Sequence, residues 1–273
     1  MSVLRRAFSL LRVLCAALPA VLLIPSVAST ASSPDAVRVP ILLYHRFGAT
    51  VADSMTVTTP VFAAQMKYLR DNGYTVIPLR RLVDYCNGRA PAPKARSVVL
   101  TADDAHVSVF TEMLPVVREY RYPVTIFAYP SAISNASYAM TWDQLRQLKK
   151  SGLFDVQSHT YWHPNFRKER KRLTGRDFDR FTVEQFRRSR ERLERELGGP
   201  VDMLAWPFGI YDDQLISRAR ETGYTAAFTI ERHHASPRDL PMKLPRYLLV
   251  NADGVERLAR ILEGRDSGGR TVY

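Results

Sequence analysis

Two short segments of the chain carry side chains that could do chemistry together. Thr101-Ala102-Asp103-Asp104 places two carboxylates side by side, and Ser158-His159-Thr160-Tyr161-Trp162-His163 places two imidazoles four residues apart. One aspartate and two histidines, with an open position for water, make a plausible catalytic zinc site. The second aspartate could then act as a general base on that water. The residue types therefore predict metal-assisted hydrolysis.

Both segments directly follow short apolar runs, Val98-Val99-Leu100 and Phe154-Asp155-Val156. Such runs are typical of buried strands that open into loops. Along the rest of the chain, strand-like stretches alternate with helix-like ones, and this alternation favours a parallel sheet. We predict an α/β fold, a distorted TIM-like (β/α) barrel of about seven strands.

Two of the predicted helices have a recognisable start. Thr141 is followed three residues later by Gln144, and Thr182 by Gln185. A hydroxyl residue at the N-cap with a glutamine three residues on forms a capping box, which satisfies two free backbone N–H groups. We therefore expect one helix to begin after Thr141 and a long charged helix to begin after Thr182.

Chemically useful side chains follow four of the predicted strands. The segments are Tyr44-His45-Arg46, Asp103-Asp104, His159 to His163, and Trp206-Pro207-Phe208. In a barrel of this kind the chemistry lies at the carboxyl ends of the strands. Segments that are far apart in the sequence would then meet, and this convergence is stronger evidence for a site than any single motif.

The N-terminus has the pattern of a secretory signal over residues 1–31. Arg5 and Arg6 form a basic region, an apolar run from Leu14 to Val27 follows, and small residues near Ala28 and Ala31 would mark cleavage. An uncleaved anchor helix is the alternative, but the run is shorter than the ~20 residues that a membrane span prefers. We therefore expect an exported protein, periplasmic or extracellular.

The remaining chain is predicted to form one domain over residues 36–263, with a frayed tail over 264–273. The sequence has 39 basic and 27 acidic residues, and loss of the three arginines of the signal leaves a net charge of +9. This excess predicts attraction to anionic surfaces. The basic segment Arg167 to Arg172 could contact a membrane or an anionic polymer, or it could be an ordinary solvated helix face. We expect a monomer that does not bind nucleic acid.

The two motifs resemble those of the NodB-type polysaccharide deacetylases, carbohydrate esterase family 4. That family carries Thr-Phe-Asp-Asp-Gly, compared with Thr101 to Ala105 here, and His-Ser/Thr-x-x-His, which His159 to His163 match fully. The resemblance covers most of the chain from about Pro40 to Val250. It implies an N-acetylated polysaccharide substrate, Asp103 as the catalytic base, and one divalent metal ion. The implied metal ligands are Asp104, His159 and His163, a set that suits zinc.

One branch of the family is similar at a further segment. Ile41 to Phe47 resembles the N-terminal segment of the deacetylases that act on poly-β-1,6-N-acetylglucosamine. In that branch the general-acid histidine comes from this segment, which implies His45 here, with a buried structural histidine as the alternative. Peptidoglycan and chitin-like oligomers stay open as substrates. A non-catalytic sugar-binding relative, or a hydrolase of amide bonds in small molecules or peptides, also stays open.

The chain departs from the family pattern at several positions. Ala102 replaces an aromatic residue and Ala105 replaces glycine. Ala205 stands where many members carry an arginine that holds the base, and we predict that Arg246 takes over this task unless it is an ordinary surface arginine. Phe208 stands where members carry a tyrosine whose backbone N–H binds the oxyanion, and a phenylalanine keeps that N–H.

Three aromatic residues in or beside the motifs are candidates for substrate binding, because flat rings suit stacking on sugar faces. They are Trp206, Trp162 and Tyr161. The alternative for each is that the ring packs the mouth of the barrel.

Overall fold

Short parallel strands alternate with helices along the chain. A computed structural model of the protein describes residues 36–173, 175–266 and 268. In these ranges the strands are β1 (Ile41–Tyr44), β2 (Arg46–Gly48), β3 (Thr56–Thr58), β4 (Thr75–Val76), β5 (Ser97–Asp103), β6 (Val124–Ala128), β7 (Phe154–Ser158), β8 (Met203–Ala205), β9 (Ala226–Phe228) and β10 (Tyr247–Leu248).

The helices lie between the strands and after the last one. The α-helices are α1 (Thr59–Asp71), α2 (Leu79–Cys86), α3 (Leu114–Tyr120), α4 (Trp142–Lys150), α5 (Phe166–Arg172), α6 (Gly175–Leu197), α7 (Asp213–Glu221) and α8 (Gly254–Leu262). A π-helical turn, Val109–Met113, precedes α3, and 3₁₀ turns cover Pro207–Gly209, Pro241–Lys243 and Asn251–Asp253.

Seven strands form one curled parallel sheet in the order β10-β1-β5-β6-β7-β8-β9, and β4 pairs with β5 beside this path. A bridge between Phe228 and Leu244 links β9 to the segment that leads into β10. The sheet is therefore a distorted TIM-like barrel, and the predicted fold class is confirmed. The short pair β2–β3, which was not predicted, lies apart from this sheet.

Side chains along the barrel strands alternate between two clusters. One cluster joins residues of the inner side of the sheet to α2; it includes Ile41, Val99, Phe127, Met203 and Phe228. Their neighbours along the strands pack with the surrounding helices; these include Leu42, Leu100, Ile126, Leu204 and Ala227. This is the period of two that a strand imposes. The same period places His45 and Asp103 on the inner side, four residues after Ile41 and Val99.

Only one of the two predicted capping boxes exists. At α4 the Gln144 N–H donates to Thr141 Oγ1 (3.2 Å) and the Thr141 N–H donates to Gln144 Oε1 (2.8 Å). The box at Thr182 is wrong, because α6 begins at Gly175 and passes through this position. The Thr182 hydroxyl donates to the Phe178 carbonyl within the helix (2.8 Å), which removes it as an N-cap.

The two chain ends differ in how far the structure describes them. The predicted signal, residues 1–31, lies outside the described residues. Among the residues that are described, no helix is long and apolar enough to cross a membrane. At the other end Asp266 pairs with Arg232 (2.6 Å) and Arg257 (2.9 Å), and the Gly268 N–H donates to the Arg232 carbonyl. Two arginines thus bind the carboxylate of Asp266, and the frayed tail over 264–273 stays a prediction.

Candidate active site

The carboxyl ends of the barrel strands surround a cavity of about 540 Å³. Among the residues that line it are the predicted site residues His45, Asp103, Asp104, His159, His163 and Phe208. They come from the ends of β1, β5 and β7 and from the turn after β8. The structure therefore brings together the segments that the sequence placed at strand ends.

Asp104, His159 and His163 form a group that could hold a metal ion. Their nearest ligand atoms all lie within 4.8 Å of one another, and Asp104 Oδ1 is 3.8 Å from the Nε2 atom of each histidine. His159 Nδ1 lies 2.8 Å from the Ala205 carbonyl, which can only accept, so Nδ1 carries the proton and Nε2 is left with a lone pair. Burial, and next the neighbouring His159, lowers the pKa of His163 to about 4. Both imidazoles are thus suited to bind a cation.

The loops that carry these ligands, and the turn after β8, adopt left-handed backbone conformations that non-glycine residues rarely take. The residues are Asp104 (φ 70°), Ala105 (φ 52°), Thr160 (φ 65°), His163 (φ 61°) and Phe208 (φ 56°). Each such residue costs on the order of 1 kcal/mol or more and persists only where surrounding contacts enforce it. The concentration of these residues around one cavity indicates that the ligand positions are imposed by the fold.

A buried network of hydroxyl groups enforces the histidine loop. The Tyr224 hydroxyl donates to Ser158 Oγ (2.7 Å), which is also 2.8 Å from Ser189 Oγ. Ser158 Oγ accepts from the Thr160 N–H (3.2 Å), and Thr160 Oγ1 accepts from the His163 N–H (3.1 Å). α6 and the segment before β9 are thereby connected to the loop that presents both histidines.

Asp103 is held by Arg246. The guanidinium donates from Nη1 to Oδ1 and from Nη2 to Oδ2, both at 2.8 Å, and its Nε–H donates to the Thr229 carbonyl (3.1 Å). Burial alone would raise the pKa of Asp103, but the charge of Arg246, aided by His159, lowers it to about 2. The carboxylate is therefore ionised throughout the neutral range, as a general base must be. Its catalytic role stays a prediction.

His45 lies in the cavity wall with unused hydrogen-bonding capacity. It is buried, and its Nδ1 atom has no hydrogen-bond partner among the described residues. Burial lowers the pKa of His45, and the carboxylates of Asp104 and Asp103 oppose that effect. A buried polar atom without a partner costs free energy. The structure thus leaves an imidazole beside both carboxylates with an atom still to be satisfied.

Comparison with known proteins identifies the family. The family model described as polysaccharide deacetylase matches residues 90–227. The chain belongs to the polysaccharide deacetylase family. The chain is similar to a poly-β-1,6-N-acetyl-D-glucosamine N-deacetylase of Staphylococcus epidermidis, with 24% identity over 223 residues. The match covers 80% of this chain and 76% of that protein.

Solved structures of two similar proteins support the fold. IcaB from Ammonifex degensii matches with a TM-score of 0.73 and 24% identity, over 83% of this chain and 97% of that one. The Streptococcus pyogenes deacetylase PplD, in complex with acetate, also matches with a TM-score of 0.73, at 22% identity, over 83% of this chain and 99% of that one. The curled seven-stranded sheet is thus shared with both.

The predicted sugar-binding aromatics of this family member have unequal positions. Trp206 is only 1% exposed, and its Nε1–H donates to the Met242 carbonyl (3.0 Å). Its ring packs on aromatic neighbours in the core and also lines the cavity, so its role in substrate binding stays a prediction. The ring of Tyr161 is covered by the guanidinium of Arg188, 4.1 Å from the ring centroid. Trp162 is exposed, but neither it nor Tyr161 is among the described residues that line the cavity.

Other cavity residues were missed by sequence reasoning. Tyr129 directly follows β6, so the strand-end rule that selected Asp103 also applied to it. Its hydroxyl is 2.8 Å from that of Tyr138, and its ring centroid is 5.4 Å from that of His163. Arg46, which belongs to a segment that the sequence did select, also lines the cavity and forms an ion pair with Asp53. No periodicity marks Tyr138, since it lies in a loop that only tertiary structure brings to the cavity.

The basic segment Arg167 to Arg172 forms most of α5. Part of its charge is balanced within the protein, because Arg170 pairs with Asp212 (2.5 Å) and Arg172 with Glu169 (2.6 Å). The guanidinium of Arg170 also lies over the ring of Phe178 (4.2 Å). Contact of the remaining cations with a membrane or an anionic polymer stays a prediction.

Proposed function

We propose that this protein removes acetyl groups from an N-acetylated extracellular polysaccharide, of the poly-β-1,6-N-acetylglucosamine kind, by metal-dependent hydrolysis. The observation that carries the proposal is the convergence of Asp104, His159 and His163 on one point beside the clamped Asp103. The name of the Staphylococcus epidermidis relative supports the substrate class. Family membership supports hydrolytic deacetylation in general.

Asp104, His159 and His163 would hold the cation, for which one carboxylate and two imidazoles suit Zn²⁺. Such an ion, when bound, polarises a carbonyl oxygen and lowers the pKa of a bound water. Asp103 accepts the proton of the attacking water, and Arg246 keeps this carboxylate ionised and correctly turned. The two carboxylates thus divide the work, one binding the metal and the other moving a proton.

The remaining steps fall to the turn after β8 and to the end of β1. The backbone N–H of Phe208, held in its left-handed conformation, donates to the developing oxyanion on the substrate. His45, as imidazolium, donates a proton to the leaving amine, which needs one to depart as a neutral group. The products are acetate and a free amino group on the polymer.

Export belongs to the same proposal, because an extracellular polymer is reached only by a protein that crosses the membrane. Residues 1–31 would act as a signal removed on export, which leaves the domain over 36–263 as a periplasmic or extracellular monomer. N-terminal sequencing of the secreted form tests this point. A mature chain that retains Leu14 to Val27 would contradict cleavage.

Acetate release from a β-1,6-linked N-acetylglucosamine oligomer tests the function. We expect release by the wild type, its loss after treatment with a chelator, and its return with added Zn²⁺. Asp103→Asn should keep the metal and lose about 10²–10⁴ in rate. His159→Ala should lose most of the metal, because the remaining pair of ligands binds weakly. Asp202→Asn, at the opposite end of the barrel, is the control.

Two results would contradict the assignments. If Asp103→Asn empties the metal site while Asp104→Asn does not, the base and the ligand are exchanged. If the metal-loaded wild type releases no acetate from this oligomer but does so from peptidoglycan or chitin-like oligomers, the deacetylase chemistry stands and the substrate class is wrong.

A further inference from the structure

Tyr138 is an exposed aromatic residue that the protein nevertheless holds in place. It is 46% exposed and lines the mouth of the cavity. Its ring is nearly parallel to that of His106, with an interplanar angle of 14° and centroids 6.3 Å apart. Its hydroxyl is 2.8 Å from that of Tyr129, and its carbonyl accepts from the Val107 N–H (2.8 Å). An ordinary exposed tyrosine would not have this set of restraints.

Tyr129 connects this ring to the reacting centre. Its own ring lies 5.4 Å from that of His163, and it lines the cavity together with Tyr138. Tyr138 is therefore one side chain away from a candidate metal ligand. Because both rings line the cavity that contains the candidate ligands, a sugar unit next to the one being deacetylated can lie against them.

The two hydroxyl groups leave hydrogen-bonding capacity toward the cavity. Two phenols carry two protons, and the bond between them uses one, so the second O–H can donate to another acceptor. The pair thus offers an apolar ring face and a hydroxyl donor side by side, which matches the C–H face and the hydroxyl groups of a pyranose.

We propose that Tyr138 and Tyr129 form a binding subsite for the sugar unit next to the one that is deacetylated, with Tyr138 as the stacking face. This inference rests on the proposed function and adds the place where the polymer is held. A ring fixed before binding loses little conformational entropy when a sugar docks on it, which favours affinity.

The test compares Tyr138→Ala with Tyr138→Phe on two substrates, a β-1,6-linked N-acetylglucosamine pentamer and a small activated acetyl ester. Tyr138→Ala should raise KM for the pentamer about tenfold, and the loss of kcat/KM on the pentamer should exceed the loss on the ester by a similar factor. Tyr138→Phe keeps the ring and should lie much closer to the wild type. Tyr120→Ala, which removes a ring stacked on Tyr122 elsewhere, is the matched control.

A binding measurement separates this subsite from the catalytic assignments. In the Asp103→Asn background, titration with the pentamer should give a Kd about tenfold higher when Tyr138→Ala is added. An unchanged Kd, or equal kinetic losses on pentamer and ester, would overturn the subsite and leave Tyr138 as a loop residue. If the wild type releases acetate while the subsite fails, the proposed function survives. If it releases none from the pentamer while the tenfold difference in Kd is found, the proposed function fails on this substrate and the subsite stands.

Discussion

Two arginine–aspartate pairs of similar geometry lie at opposite ends of the barrel. At the carboxyl end Arg246 donates to both oxygens of Asp103, and the two side chains are 0% and 3% exposed. At the amino end Arg80 donates to both oxygens of Asp202 at 2.5 and 3.1 Å, with side chains 36% and 21% exposed. A surface pair adds little stability, and a buried pair recovers its desolvation cost only with good geometry. The buried pair is therefore better explained by the need for a positioned carboxylate than by stability.

The two ends also differ in how completely polar groups are satisfied. The side chain of the buried Gln157 reaches from β7 to the amino end of β8, where it accepts from the N–H groups of Asp202 and Met203 and donates to Asp155 and the Pro200 carbonyl. At the carboxyl end His45 Nδ1 has no partner among the described residues. Left-handed non-glycine residues also cluster at the carboxyl end. Paired polar groups thus characterise one end of the barrel, and unsatisfied and strained groups surround the candidate site at the other.

The largest expected difference comes from removing the arginine of each pair. Arg246→Met leaves a buried carboxylate without its counter-charge, which should cost on the order of 3–5 kcal/mol of unfolding free energy and about 10² or more in turnover. Arg80→Met should cost about 1 kcal/mol or less, because both partners are partly exposed. Denaturant unfolding and acetate release measure both. Similar stability losses in the two variants would break the comparison.

A double variant sharpens this prediction. Asp103→Asn combined with Arg246→Met removes both charges, so it should regain part of the stability that Arg246→Met alone loses. It should not regain activity, since no base is left. Recovery of turnover in the double variant would show that Asp103 is not the base.

The second largest expected effect is the loss of turnover in His45→Ala, and Gln157→Ala is the variant with which it is compared. His45→Ala should lower turnover on an acetamide substrate by about 10² without emptying the metal site. An activated acetyl ester has a better leaving group and needs little protonation, so its loss should be much smaller. The ratio of the two losses is the measurement. Equal losses on amide and ester would leave His45 a structural histidine.

Gln157→Ala should show the reverse behaviour. It leaves several buried groups without partners, which should cost about 1–3 kcal/mol of unfolding free energy. The ratio of amide to ester turnover should stay near that of the wild type. If Gln157→Ala changed this ratio as much as His45→Ala does, the ratio would reflect a less rigid barrel and not the loss of a proton donor.

Much of the fold and of the candidate site was predictable from the sequence, for a simple reason. Buried strands read as short apolar runs, and polar residues directly after them must emerge at one end of a parallel barrel. That rule selected Asp103, Asp104, His159 and His163 without any tertiary information. It also applied to Tyr129, which was overlooked because a tyrosine after a strand carries no evident metal or acid–base chemistry.

Other features depend on contacts between distant segments and were not predictable. Trp206 looks like a sugar-stacking residue in the sequence, but the carbonyl of Met242 and two aromatic neighbours bury it. The false capping box at Thr182 fails because α6 continues through it. The hydroxyl network around Ser158 joins β7, α6 and the segment before β9, and no local pattern marks such a network.

The next prediction concerns the hydroxyl network around Ser158. Tyr224→Phe removes the hydroxyl that anchors Ser158 and, through it, the loop of His159 and His163. Groups that orient metal ligands typically contribute 10–100-fold to metal affinity, and we expect about tenfold for this more distant one. Zn²⁺ affinity by competition with a chelator is the measurement. Ser97→Ala, which removes a buried hydroxyl at the amino end of β5 that donates to the Lys94 carbonyl, should leave the affinity unchanged, and equal weakening in both variants would remove the special role of Tyr224.

The smallest effect concerns strain at the carboxyl end. Ala105 adopts a φ of 52° where the family motif has glycine, whereas the equally buried Ala102 lies in β5 outside the left-handed region. Replacing either by glycine loses a buried methyl group, about 0.8 kcal/mol, and adds freedom to the unfolded chain, about 0.4–1 kcal/mol. Only at Ala105 does glycine also relieve a left-handed conformation, by about 1–2 kcal/mol.

Ala105→Gly should therefore change the free energy of unfolding by less than about 1 kcal/mol, while Ala102→Gly should lower it by about 1–2 kcal/mol, as the sum of the two losses. Urea titration of both variants, with equal slopes, gives the difference directly. A larger loss for Ala105→Gly than for Ala102→Gly would mean that the turn after Asp104 is not strained. The carboxyl end would then be no more strained than the interior of β5 at Ala105, the position where the family motif has glycine.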